Sequence, residues 1–159
     1  YPQTALGKTK SEIAEGISKL YAVKPDNMKF YNKYYDETSP TMPNMIVCTD
    51  DMESRMTAYT RWREQSNRRL FLDLRMGAMA MEIVTTTKDD DNYLDTWVPT
   101  HSVEPEPCTM KHTIFTASIV GGIGVNQVFN VLAKRAYYQY IWIGLQPLTI
   151  RTDKLIYKG

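Results

Sequence analysis

The amino-acid sequence predicts an α/β domain built around a mixed sheet, and three observations carry that prediction. Segments whose apolar residues recur at helical spacing alternate with short apolar runs through the first half of the chain. The run from Met45 to Thr49 is apolar without alternation, the pattern of a strand covered on both faces. Later runs follow one another across short turns, which suits antiparallel pairing. A chain of 159 residues has the length of one domain, residues 1–159, with a real core.

The elements follow in order. Tyr1-Pro2-Gln3-Thr4 reads as extended, because Pro2 restrains the residue before it. A chain that opens in a loop, without methionine, leads to the expectation of further sequence or a second chain ahead of it. Thr9-Lys10-Ser11-Glu12 fits a capping box, and Ile13, Ile17 and Leu20 continue it as a helix that Pro25 closes. Met28 to Tyr35, rich in tyrosine, reads as a strand. Met45 to Thr49 ends in Asp50-Asp51, which can start a helix from Met52 to about Gln65. Leu70 to Leu74 and Ala78 to Thr86 are strands joined at Met76-Gly77, and Val98 to Thr109, with three prolines, is an irregular crossing segment. Ile114 to Arg135 is the longest helix. Its Gly121, Gly122 and Gly124 cost helix stability, so close packing against another backbone is expected there. Tyr138 to Ile150 gives one strand, or two broken at Pro147.

Composition narrows the function. A formal charge of +1 argues against a protein that coats nucleic acid, which needs a clustered basic excess. Arg61, Arg63, Arg68 and Arg69 form a local basic group beside Glu53 and Glu64, either a contact for phosphate or an acidic tail, or a solvated helix face. Cys48 and Cys108, the only cysteines, lack the spacing of a metal knuckle or disulfide framework, so reduced cytosol is the expected compartment. No signal peptide is expected at the start of the chain. Ile114 to Leu132 carries Ser118, Asn126, Gln127 and Asn130, too polar for a lipid-facing span, so no membrane partner is expected. His101 and His112 suggest no metal pair or catalytic triad. Met76, Met79 and Met81 read as adaptable core or as the lining of a groove, and Cys48 as core.

Four short strings in order resemble the ThiF/MoeB/HesA family of adenylate-forming activating enzymes, related to those that activate ubiquitin. Gly7-Lys8-Thr9-Lys10 is similar to the family's glycine-x-x-lysine at a helix start. Ile46-Val47-Cys48-Thr49-Asp50-Asp51-Met52-Glu53-Ser54-Arg55 resembles its strand ending in aspartate, with an arginine a few residues on. Leu72-Asp73-Leu74-Arg75-Met76-Gly77 resembles an aspartate-arginine-glycine string of a phage and bacterial branch. Pro107-Cys108-Thr109, followed by Thr113-Ile114-Phe115-Thr116, resembles the crossover loop and the helix after it. The resemblance spans nearly the whole chain. It implies a Rossmann-like mixed sheet with helices on both faces, the carboxyl-terminal part of a ThiF-type adenylation domain.

The implied activity is ATP-dependent adenylation of the terminal carboxylate of a ubiquitin-like or sulfur-carrier protein, or of a peptide. Attack on the α-phosphate builds charge that cations must neutralise, and a carboxylate must hold magnesium. By resemblance Lys10 contacts the ATP phosphates, where otherwise it is a solvated lysine. Asp50 is the magnesium-binding aspartate, where otherwise it caps a helix, a task Asp51 can take. Arg55 orients Asp50, contacts nucleotide, or lies on the surface. Arg75 reaches a carboxylate or phosphate, or pairs with Asp73 on the same strand face. Cys108 takes the activated carboxylate as a thioester or persulfide, helped by Lys111 and His112, or is a small half-buried loop residue.

The pattern departs from the family in two respects. The glycine-rich nucleotide loop, the ribose-binding acid and the catalytic arginine lie upstream of the glycine-x-x-lysine string and are not in this sequence. Gly121-Gly122-Ile123-Gly124 is no substitute, since it falls inside a helical pattern. The expectation is therefore a longer or two-chain enzyme, a homodimer or one completed by an amino-terminal half. The paired Cys-x-x-Cys strings are also missing, so no zinc is expected. A competing reading is a non-catalytic binding or scaffold module that grips a ubiquitin-like partner. A nicotinamide or flavin oxidoreductase ranks last, for want of a dinucleotide fingerprint.

Overall fold

The computed structural model describes residues 6–102 and 114–157. The chain divides into two compact units, Tyr1–Tyr35 and Asp36–Gly159.

In the first unit Gly7 turns the chain at φ +80°, a conformation that favours glycine, and α1 (Lys10–Tyr21) follows. The expected capping box is present: the Glu12 amide donates to Thr9 Oγ1 at 3.2 Å, and the Thr9 amide donates to Glu12 Oε2 at 2.7 Å. The helix ends four residues before Pro25, which opens a single 3₁₀ turn, Pro25–Asn27. The strand expected from Met28 to Tyr35 does not form. Tyrosine-rich sequence favours a pleated surface, but a strand needs a partner to exchange hydrogen bonds, and the described residues of this unit contain none.

The second unit holds β1 (Asn44–Val47), α2 (Met52–Arg63), β2 (Leu70–Met76), β3 (Ala80–Thr87), α3 (Ile114–Leu132), β4 (Tyr137–Leu145) and β5 (Leu148–Ile156). The strands lie side by side in sequence order. β1 and β2 are parallel, with Asn44 opposite Leu70 and Val47 opposite Asp73, while every later pair is antiparallel. The mixed α/β sheet is thus as expected, and the run Tyr138 to Ile150 is two strands turning at Gln146-Pro147. β1, however, is an edge strand, not one covered on both faces: Asn44, Ile46 and Cys48 are exposed. Four apolar residues in a row suit burial, but here only β2 flanks them.

Alternation along β2 sends its side chains to two different layers. Phe71, Asp73 and Arg75 meet α2 and the 3₁₀ turn Tyr93–Thr96, whereas Leu72 and Leu74 meet α3. Helices therefore cover both faces of the sheet. On the α2 side Tyr59 stacks on Tyr93 at 4.3 Å between ring centres, and Phe71 meets both rings edge-on at 5.6 and 5.1 Å. On the α3 side Leu72, Met81, Ile83, Val120, Ile141 and Ile143 form the aliphatic core. Met81 belongs to this core, while Met76 is exposed. Each large side chain so buried contributes roughly 1.5–3 kcal/mol.

α3 is long and apolar enough to cross a membrane by length and composition, with a mean hydropathy of 1.4 despite its polar residues. Here it lies on the sheet, burying Thr116, Val120, Gly124 and Gln127, an arrangement compatible with a soluble protein. Of its three glycines only Gly124 marks a close approach, and to side chains, not to backbone: an added Cβ would stand 2.9 Å from Leu74 Cδ2. Nothing lies within 4 Å of a Cβ at Gly121. Gly121→Ala should therefore raise stability by about 0.5–1 kcal/mol through helix propensity. Gly124→Val, forced against Leu72 and Leu74, should cost about 1–3 kcal/mol. Urea denaturation of the two variants checks both signs.

Candidate functional site

The parallel ladder between β1 and β2 ends at Val47 and Asp73, and beyond that point the two carboxyl ends are held by a side chain. Arg55, on the first turns of α2, donates to the carbonyl oxygens of Thr49 and, at 3.0 Å, Leu74, and to the Asp73 carboxylate. It sits in the buried stripe of α2, with Met52, Ala58, Tyr59 and Trp62. Arg55 therefore points inward and orients Asp73. Its hydrogen bonds go to Asp73, Thr49 and Leu74 rather than to the Asp50 side chain.

Asp73 is fully buried in the middle of an apolar strand, and its charge is matched on both sides. Oδ1 accepts from Arg55, and Oδ2 accepts from Arg75 Nε at 2.8 Å and from the Tyr93 hydroxyl at 3.0 Å. Arg75 spends its remaining reach on Glu82 Oε2 at 3.2 Å, the Thr96 carbonyl at 2.7 Å and Thr96 Oγ1 at 3.2 Å. The pairing with Asp73 weighed from the sequence is thus the one formed, and the guanidinium is turned into the protein. Burial pulls the Arg75 pKa down, but the charges of Asp73 and Glu82 outweigh it, and the net shift is upward. Burial and the Asp73 charge likewise raise the Tyr93 phenol, which stays a donor.

Asp50 stands just past β1 and is exposed, with no hydrogen bond or ion pair to another described residue. The cap of α2 belongs to its neighbour: Asp51 Oδ1 accepts from the Ser54 amide at 2.6 Å. A second cap comes from Thr100, whose Oγ1 accepts from the Met52 amide at 2.9 Å and donates to Glu53. The Met52 and Ser54 amides of this helix end are thereby occupied, and the neighbouring Asp50 is exposed. Beyond Thr100 the chain runs to Ser102, the last described residue before position 114. Cys108, Lys111 and His112 lie outside the described residues. Cys48 is exposed at the edge of β1, correcting its expected place in the core, yet the burial of its sulfur still pushes the thiol pKa up.

Lys10 heads α1 in the first unit and is exposed. The basic group is put to structural use: Arg61 donates to the carbonyls of Asp36 and Ser39 at 2.6 and 2.7 Å, and Arg63 pairs with Asp91 at 3.5 Å. Among the described residues no three His, Cys, Asp or Glu side chains group together as metal ligands.

Sequence reasoning did not find the polar cleft of about 380 Å³ beside this network, lined by Glu82, Asn92, Asp95, Thr96, Tyr140 and Lys154 among others. Glu82 links it to Arg75 and accepts from the Tyr140 hydroxyl at 3.0 Å. The one available signal was Glu82 in the strand Ala80–Thr87, which stands directly opposite Arg75 across the hairpin, one step in from the Met76–Met81 pair. Comparison with known protein-family models and with curated protein sequences found no match.

Asp73→Ala should cost about 3–5 kcal/mol, since it strands buried guanidinium charge. Tyr93→Phe should cost only about 1 kcal/mol, the worth of one hydrogen bond. Equilibrium denaturation reads both. Burial and neighbouring carboxylates push Tyr140 and Tyr137 up to about 12 from an ordinary value near 10. The folded state then holds these protons more tightly than the unfolded state. Their contribution is complete below the ordinary value and is lost as pH climbs toward 12. The urea midpoint should fall over that interval, and Tyr140→Phe should flatten the fall.

Proposed function

We propose that this chain forms the carboxyl-terminal part of an adenylate-forming enzyme, acting with ATP on the terminal carboxylate of a ubiquitin-like or sulfur-carrier protein, or a peptide. The observation that carries the reading is the division of labour at Asp50-Asp51. Asp51 caps α2, and Asp50 is left exposed beyond the carboxyl end of a parallel strand, where ligands of open α/β sheets gather. The four-string resemblance to the ThiF/MoeB/HesA family supports the same assignment.

One carboxylate does not make a resident metal site, but it fits magnesium that arrives with ATP. Magnesium keeps several waters and takes one or two protein carboxylates beside the substrate phosphates. Asp50 would hold that ion. The family resemblance assigns phosphate contact to Lys10, on the first turn of α1, a helix end that favours anions. Arg55 and Arg75 serve as positioning residues, fixing the strand ends from which Asp50 projects. Cytoplasmic location, a homodimer or an amino-terminal half supplied elsewhere, and a role for Cys108 as acceptor of the activated carboxylate belong to the same proposal.

A second reading, a non-catalytic module that grips a ubiquitin-like partner, is favoured by one observation: both site arginines are engaged inside the protein. ATP–pyrophosphate exchange by the completed enzyme separates the two. Asp50→Ala and Lys10→Ala should each lower exchange by about 100-fold or more. Exchange that survives both substitutions would place the chemistry elsewhere. Capture of a small β-grasp protein with no nucleotide binding would favour the second reading.

A further inference from the structure

The cleft beside the Asp73 network, about 380 Å³ in volume, has the size of a small-molecule site. Gln139 lines it and is only 1 % exposed, yet neither its amide oxygen nor its amide nitrogen has a hydrogen-bond partner among the described residues. Asn92, also in the lining, keeps a buried Oδ1 without a partner. Buried amides are hydrogen-bonded almost without exception, because the water they give up must be replaced. Three open polar atoms around one cavity therefore point to a ligand.

The backbone is irregular at the same place. β4 and β5 pair at Tyr138–Leu155 and again at Tyr140–Asp153, and the ladder passes over Gln139 and Lys154 between them. The ladder from β3 to β4 stops at Val84–Tyr140, so Gln139 is paired across neither neighbouring strand. Lys154 takes φ +49°, a left-handed conformation that side chains rarely adopt. Breaks of this kind re-aim side chains and recur beside binding sites.

Charge defines the ligand. Glu82 is already matched by Arg75 at 3.2 Å and by the Tyr140 hydroxyl at 3.0 Å. Asp95, Asp153 and Lys154 are exposed in the lining, and none of their side chains bonds to another described residue. The open groups are thus two carboxylates, one ammonium, two amide oxygens and one amide nitrogen. Their complement carries two cationic groups and one anionic group. On the β4–β5 side, Gln139 sets a donor beside an acceptor, which suits the adjoining carboxylate and ammonium of an amino acid. On the side of the 3₁₀ turn, Asn92 Oδ1 and the Asp95 carboxylate are acceptors only. A guanidinium, with five N–H groups in a planar fork, serves both at once better than an ammonium does.

We propose that this cleft binds a free amino acid of the arginine type. Gln139 Nε2 and Lys154 hold its carboxylate, Gln139 Oε1 and Asp153 its ammonium, and Asn92 and Asp95 its guanidinium.

Isothermal titration of the full chain with L-arginine tests this. One site should appear, with a Kd of about 1 mM or tighter. Citrulline, which replaces the guanidinium by a neutral group of the same shape, should bind about tenfold more weakly or worse. The amide of Nα-acetyl-arginine, which stands for an arginine within a peptide, should lose at least as much. Agmatine, without the carboxylate, should be indifferent to Lys154→Met, which weakens L-arginine. Gln139→Leu should weaken L-arginine about tenfold or more while its urea midpoint stays at or above that of the wild type, since no internal hydrogen bond is lost. Asp95→Asn, an exposed change, should weaken L-arginine and leave citrulline unaffected. Absence of L-arginine binding, equal binding of citrulline or of the peptide-like amide, or an affinity unchanged by both Gln139→Leu and Asp95→Asn would overturn the proposal. The titrations contain no nucleotide, so their failure and that of the adenylation reading are distinguishable.

Discussion

Asp73 sits with no solvent exposure between two guanidinium groups, and the rest of the second unit is arranged around keeping it matched. A buried carboxylate costs several kcal/mol unless its lone pairs are satisfied. Four elements supply the partners: α2 through Arg55, β2 through Arg75, the 3₁₀ turn through Tyr93, and β3 through Glu82, which takes up part of Arg75. Losing Arg55 or Arg75 leaves Asp73 short of a matching charge, and losing Tyr93 or Glu82 leaves one hydrogen bond of the network unmade, so the network couples all four elements. α2 in particular rests on β1 and β2 through the Tyr59, Trp62 and Phe71 rings on one side and through Arg55 on the other.

The same arrangement shapes the end of the parallel pair. Where the backbone ladder stops, Arg55 ties the carbonyls of Thr49 and Leu74 in place of a further ladder step. The two strands are fixed at the point where they would otherwise separate, and the connection from β1 to α2 is held from beneath. Asp51 and Thr100 close the helix end, so Asp50 is the group this connection turns outward. The order of causes runs from a buried ion network to a rigid strand end, and from there to an exposed carboxylate whose position is set by its neighbours.

Much of this fold was legible because local rules suffice for it. The capping box at Thr9, the helix after Asp51, the strands around Met76-Gly77 and the antiparallel second half follow from spacing and turn chemistry. What escaped was tertiary. The run 28–35 has the residues of a strand without a strand to pair with, and β1 has the composition of a central strand at an edge. The site was half legible. Asp73 and Arg75 two apart on a strand gave the ion pair, and Asp51 gave the cap. Arg55 was misplaced even though it falls on the Met52, Tyr59 and Trp62 stripe of its helix; an arginine on a buried stripe announces a buried partner. The roles of Tyr93 and Thr96 required coordinates, since their partners lie about twenty residues away in sequence, whereas Glu82 faces Arg75 across a hairpin.

A double-mutant cycle on Arg55 and Asp73 addresses the network most directly. Arg55→Met and Asp73→Leu should each destabilise the protein strongly. The double variant should lose less than the two losses combined, with a coupling of about 2 kcal/mol or more in urea denaturation, because no unmatched charge is left between α2 and β2. Losses that simply add, to within about 0.5 kcal/mol, would contradict the claim that this ion pair organises the sheet end.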